Sequence, residues 1–153
     1  PVKLVVRSRR DARRGPAVVS FRVGKCGGLG GLLGFLLKSY RRDGWRWWKG
    51  ELSTFSKLHD KKILFTEWGY RSVNFTAKEP WTSDRTLTIV NLKAQANTTK
   101  ATFEALWKED WFAGGFIWKW FIHHSRSGGS DDNRFTPQNK PAESVIKEYY
   151  EKN

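Results

Sequence analysis

From Gly44 onward the apolar residues alternate between two rhythms. Trp45, Trp48, Leu52, Phe55 and Leu58 recur every three or four positions, which predicts an amphipathic helix over 45–59. Asp60-Lys61-Lys62 interrupts that stripe as a short turn. Ile63-Leu64-Phe65 follows, a short apolar run suited to a strand buried on both faces. The run stops at Glu67, ahead of Trp68, Gly69 and Tyr70. Residues 71–87, with Pro80-Trp81, predict a long loop. Ile89, Leu92, Ala96, Thr99, Phe103 and Leu106 then mark one face of a second helix, closed by Trp111 and Phe112 and broken at Gly114-Gly115. Phe116 to Phe121 predicts a second strand, with Phe116, Trp118 and Trp120 on one face and Ile117, Lys119 and Phe121 on the other. After a polar, glycine-rich loop from His123 to Asn139, Pro141 suits the first turn of a last helix. Ala142, Val145, Ile146 and Tyr149 form its predicted buried side. Helix, strand, helix, strand, helix argues for an α/β fold of parallel βαβ units with right-handed crossovers.

Residues 1–43 have a different texture. Val2 to Val6 and Val18 to Val23 predict short strands around a basic loop, Arg9 to Pro16. Gly24 to Gly34 is rich in glycine but lacks the Gly-x-x-x-x-Gly-Lys of a phosphate loop, so a linker is the expected reading. Residues 29–37 are apolar, glycine-broken and too short to span a bilayer, and no membrane span or signal peptide is expected. Cys26, the single cysteine, has no partner for an internal disulfide.

The chain carries a net charge of +13, which raises nucleic acid as a partner, because lysine and arginine release counterions from phosphates. The distribution weakens that reading. Residues 1–43 hold 11 Lys and Arg against Asp11 and Asp43, a net +9, whereas residues 44–153 hold 17 against 13 acids, a net +4. The excess sits in the segment that looks least like a folded domain, so no specific nucleic-acid partner is expected. A basic nucleic-acid-binding module built on residues 1–43 remains the rival from another class.

Glu67 is the first candidate for chemistry. A carboxylate at the end of a buried strand is costly without partners or a task, and in parallel α/β folds that end is where sites are built. An ion pair with a neighbouring Lys or Arg serves equally well on the local pattern. His123, His124, Asp131 and Asp132 lack the spacing of a ligand set, and no metal is expected. Asn74-Phe75-Thr76 and Asn97-Thr98-Thr99 match glycosylation sequons, which by themselves carry little.

Phe65-Thr66-Glu67-Trp68-Gly69-Tyr70-Arg71-Ser72 resembles the nucleophile-bearing segment of glycoside hydrolase family 113, the β-mannanase-like TIM barrels. Pro80-Trp81, Asn91 to Ala96, Trp111 to Trp120 and Phe135 to Glu143 continue the likeness in order, over roughly residues 44–153. The resemblance implies an incomplete (β/α)₈ TIM barrel, the last two βα units with the helix before them, because a whole barrel needs about 250 residues. Residues 1–43 are then a basic, glycine-rich segment and residues 44–153 the C-terminal part of the barrel.

The implied parent activity is retaining hydrolysis of β-mannosidic or related β-glycosidic bonds in an oligo- or polysaccharide, without a cofactor. Glu67 takes the nucleophile position. Trp118 and Trp120 take the aromatic floor under the sugar, and Trp68 and Tyr70 shape the mouth, with Tyr70 placed to hydrogen-bond the nucleophile. Retaining glycosidases need a second carboxyl, which in such barrels follows an Asn on an earlier strand. No Asn-Glu pair occurs in this chain, so the fragment is expected to be inactive alone. A non-catalytic carbohydrate-binding remnant using Trp118 and Trp120 is the alternative.

Overall fold

The structure, a computed structural model, describes residues 18–19, 36–78, 80, 86 and 88–152, with side chains from Trp45 onward. Its elements are β1 (Val18–Val19), α1 (Leu36–His59), β2 (Ile63–Trp68), α2 (Leu92–Leu106), β3 (Phe112–Ile117) and α3 (Pro141–Glu151), with one 3-10 turn at His124–Arg126. Helices and strands alternate from α1 to α3, as the hydrophobic rhythm predicts. The strands form one sheet in the order β1-β2-β3. β1 and β2 run parallel, with Val18 opposite Leu64 and Val19 opposite Phe65. The expected strand at Val18 is therefore present as two described residues. Val2 to Val6, the glycine-rich stretch and Trp81 lie outside the described residues.

The chain divides into two compact units, one running to Trp68 with residues 104–116, the other comprising 69–103 with the residues after 116. The first is an aromatic sandwich of helix on sheet. Leu52, Ile63, Phe65, Leu106 and Trp111 are its buried centre, with Trp45, Trp48, Phe55, Trp68, Ala105 and Phe112 packed around them. The Trp45 ring stacks on Phe65 at 6.3 Å, and Phe112 meets Phe65 edge-on at 5.2 Å. Aromatic pairs in these geometries add attraction beyond the area they bury. The stripe ends one turn earlier than the sequence suggests, because Leu58 is 77% exposed.

α1 starts at Leu36, nine residues ahead of the predicted start. It stops through backbone chemistry. Asp60 adopts the left-handed conformation, with φ 48°. The Lys61 amide donates to the Ser56 carbonyl and the Asp60 amide to the Lys57 carbonyl, the paired bonds that satisfy the last carbonyls of a helix. The Ser56 hydroxyl then donates to the Lys61 carbonyl at 2.5 Å. The chain is thereby aimed directly into β2.

β3 departs from expectation. The predicted strand 116–121 lies instead at Phe112–Ile117, and Trp118 to Phe121 form a turn beyond it. Gly114-Gly115 belong inside the strand and do not break a helix. A Cβ on Gly115 would lie 2.8 Å from the Phe65 Cβ and 2.9 Å from the Trp68 ring. Glycine is thus required for β2 side chains to lean across β3.

In the second unit Asn91 caps α2, its Oδ1 accepting from the Ala94 amide at 2.8 Å. The helix begins at Leu92, so Ile89 falls outside it and is 71% exposed. The Val73–Val90 bridge closes the intervening loop at its base. α3 starts at Pro141 and buries Ala142 and Ile146 as predicted, while Tyr149 stacks on Phe103 at 4.6 Å.

Candidate functional site

In the first unit, Glu67 is the fifth residue of β2. It shares the strand face of Ile63 and Phe65, both buried, yet emerges to solvent. No described residue makes an ion pair or hydrogen bond with it. The ion-pair explanation therefore has no support among the described residues. Trp68, next along, packs with its indole against the core cluster and over Gly115. Its body is anchored in the core of the first unit.

In the second unit, Trp118 and Trp120 expose 45% and 48% of their surface. They sit on the turn after β3, and the Trp118–Lys119 peptide bond is cis. Lys119 lies between them in sequence and places its Nζ 5.7 Å from the Trp118 ring centroid and 4.5 Å from that of Phe121. A cation over these faces holds the turn together by charge–quadrupole attraction. The Trp120 ring lies 6.3 Å from that of His124, and His124 in turn pairs with the Glu143 carboxylate. Exposed indole faces beside hydrogen-bonding groups suit a ligand with both apolar faces and hydroxyls.

Tyr70 is committed to Thr102. Its hydroxyl lies 2.7 Å from Thr102 Oγ1. The Thr102 hydroxyl donates to the Thr98 carbonyl, so Tyr70 is the donor to Thr102. Burial pushes the Tyr70 phenol above its ordinary value. The hydroxyl that the resemblance assigns to the nucleophile is bonded inside the second unit.

The second unit also holds a polar scaffold that the hydrophobic rhythm does not reveal. Gln95 turns its Nε2 toward the carbonyls of Tyr70 at 2.8 Å and Phe135 at 3.0 Å. The buried Lys140 ammonium donates to Ser72 Oγ at 2.8 Å, the Arg134 carbonyl at 3.0 Å and Asp132 Oδ1 at 3.1 Å. Burial lowers the Lys140 pKa, with Asp132 opposing the shift. Gln138 pairs with both main-chain groups of Phe121. Gln138 and Lys140 fall in or at the end of a segment that reads as polar loop, whereas Gln95 lies on α2 between the stripe residues Leu92 and Ala96. The signal available was the family likeness of Asn91 to Ala96 and Phe135 to Glu143, which has no counterpart in periodicity. Among the described residues no group of three or more His, Cys, Asp or Glu side chains is placed to hold a metal. No described helix is long and apolar enough to cross a membrane.

Residues 37–140 match the pattern of Glycoside Hydrolase Family 113. A GH113 β-1,4-mannanase solved as a complex is similar over 73% of this chain at 25% identity, with a TM-score of 0.65. The GH113 β-mannanase of Alicyclobacillus acidocaldarius is similar over 72% at 27% identity, with a TM-score of 0.61. In each case the match covers 36% of the mannanase chain, so this chain spans about a third of their length. A Faecalibacterium prausnitzii β-glucuronidase, 14% identical over 89% of this chain and 22% of its own, shares the fold alone at a TM-score of 0.51. No curated protein matches the chain.

Proposed function

The chain belongs to glycoside hydrolase family 113, and from that premise we propose that it carries the nucleophile strand and the sugar-stacking floor of a retaining β-mannanase. In this reading it is the last two βα units of a (β/α)₈ barrel, with the helix before them. The observation that carries the proposal is the solvent-exposed carboxylate of Glu67 on an otherwise core-facing strand face, with no described partner. An unpaired carboxylate near the end of a core strand is available for work on a ligand.

The chemistry balances as a double displacement. A Glu67 oxygen attacks the anomeric carbon and the glycosidic C–O bond breaks. The departing oxygen takes a proton from a second carboxyl group. Water, deprotonated by that second group, then cleaves the glycosyl ester and frees Glu67. No Asn-Glu pair occurs in the chain to supply the second carboxyl, so in this reading the chain alone binds β-mannosidic substrate without turning it over. Trp118 and Trp120 stack on the sugar's C–H faces while its hydroxyls stay available to polar neighbours.

Calorimetric titration of the chain with mannohexaose tests the reading. Binding without hydrolysis is expected, and Trp118→Ala and Trp120→Ala should each weaken it by about tenfold. No binding by the unsubstituted chain, or full affinity after both substitutions, overturns the proposal.

A further inference from the structure

Gln138 is fully buried, and both polar ends of its side chain bond the main chain of one residue. Its Oε1 accepts from the Phe121 amide at 2.6 Å. Its Nε2 donates to the Phe121 carbonyl at 3.0 Å. An amide side chain presents an acceptor and a donor side by side. Paired with both main-chain groups of one residue, it reproduces the hydrogen bonding of a neighbouring strand. It does so four residues past the end of β3, where no described strand pairs with the turn.

The clamp is itself held. The Thr136 hydroxyl donates to Gln138 Oε1 at 2.9 Å and accepts from the Gln138 amide at 3.3 Å. With Phe121 N–H and the Thr136 hydroxyl both donating to Oε1, the amide has one orientation. The Gln138 carbonyl accepts from the Gly129 amide at 3.3 Å. That carbonyl also lies against Gly128, where a Cβ would stand 1.8 Å away. At the other end of the same turn the Trp118 carbonyl abuts Gly69, where a Cβ would stand 2.0 Å away. The four residues Trp118 to Phe121 are therefore fixed at both ends, and the two half-exposed indoles project from between the fixed points.

We propose that Gln138 is a positioning residue for carbohydrate binding, acting through the Phe121 main chain to hold Trp118 and Trp120 in the orientation that stacks on a sugar. The proposal rests on the reading of those indoles as a sugar floor. Gln138 itself touches no sugar.

Gln138→Glu separates positioning from mere packing. The shape is kept, but an ionised carboxylate cannot donate to the Phe121 carbonyl and repels it. A protonated carboxyl presents one acceptor and one donor, as the amide does, and restores both bonds. Burial of the substituted carboxyl favours its neutral form and brings the transition to higher pH than for an exposed acid.

Affinity for mannohexaose should fall about tenfold or more at alkaline pH in the variant. It should return to within about threefold of the unsubstituted chain as the pH is lowered, and the unsubstituted chain should show no such profile. The same titration is followed by hydrogen exchange of the Phe121 amide and by the indole N–H resonances of Trp118 and Trp120. These should move with the carboxyl's ionisation whether or not sugar is present. Static indole signals with an unprotected Phe121 amide, or unchanged affinity at every pH, overturn the positioning role while leaving the sugar reading intact. Indoles that move in a chain that binds no mannohexaose overturn the sugar reading, and with it the functional part of this proposal. If the variant does not fold at alkaline pH, Thr136→Val removes the hydroxyl that orients the side-chain amide and accepts from the Gln138 main-chain N–H, and leaves both Gln138–Phe121 bonds available. It should weaken binding by about threefold, and unchanged affinity there counts against the clamp.

Discussion

Gly69 and Trp118 touch through their backbones. A Cβ on Gly69 would lie 2.0 Å from the Trp118 carbonyl oxygen and 3.0 Å from its carbonyl carbon. Glycine follows the strand that carries Glu67 because the next residue must admit another main chain. Gly69→Ala should therefore displace the Trp118 turn or strain its own backbone. A loss of about 1–3 kcal/mol in denaturant unfolding is expected, with weaker mannohexaose binding in the same variant. Full stability and full affinity together would show that the turn does not depend on this approach.

Glu67 invites the opposite expectation for stability. It is exposed and no described residue pairs with it, so Glu67→Gln should change unfolding free energy by no more than about 0.5 kcal/mol. In an enzyme completed with its second carboxyl, the same change should lower turnover by orders of magnitude while sugar still binds. A mechanism-based fluoro-sugar should label Glu67 and no other residue, since retaining hydrolysis passes through a covalent glycosyl-enzyme. Label elsewhere, or an inverted product, removes it from the nucleophile role.

Tyr70→Phe distinguishes a scaffold hydroxyl from a catalytic one. Thr102 keeps its bond to the Thr98 carbonyl, so the substitution leaves no stranded donor. A loss of about 1 kcal/mol or less is expected, with sugar affinity unchanged. In the completed enzyme, a large fall in turnover would return Tyr70 to the mouth of the site.

Lys140 makes stability depend on pH at the alkaline end. Burial lowers its pKa from the ordinary 10.5, so between the folded value and 10.5 the unfolded chain binds more protons than the folded one. Stability should rise with pH across that window and be flat, for this group, below it. Lys140→Met should abolish that rise while the remainder of the pH profile is retained. A wild-type profile that falls through the window more steeply than that of the variant would reverse the sign.

The apolar rhythm by itself determined the alternation of elements and most of the core. Ile63, Phe65, Phe103 and Leu106 are buried where their spacing places them, because a helix or strand repeats its buried face at a known period. Pro141 at the start of α3 was legible for the same local reason. Glu67 stood out as a charge ending an apolar run.

Tertiary structure alone decided the rest. The apolar pattern assigns Phe112 to the end of the second helix and the strand to 116–121, but it cannot say which residues pair, and β3 lies four residues earlier than predicted. Gly114-Gly115 read as a break, yet Gly115 is required where Phe65 and Trp68 lean over it. Gln138 and Lys140 resemble the polar loop before them in sequence, and Gln95 reads as an ordinary polar position of the second helix. Each is buried because its donors meet main-chain carbonyls or side chains from distant parts of the chain. Tyr70 looks like a neighbour of Glu67 along the chain, whereas its hydroxyl bonds Thr102, 32 positions away. Short-range pattern carries burial well, since burial repeats; it carries no information about which distant group satisfies a buried donor.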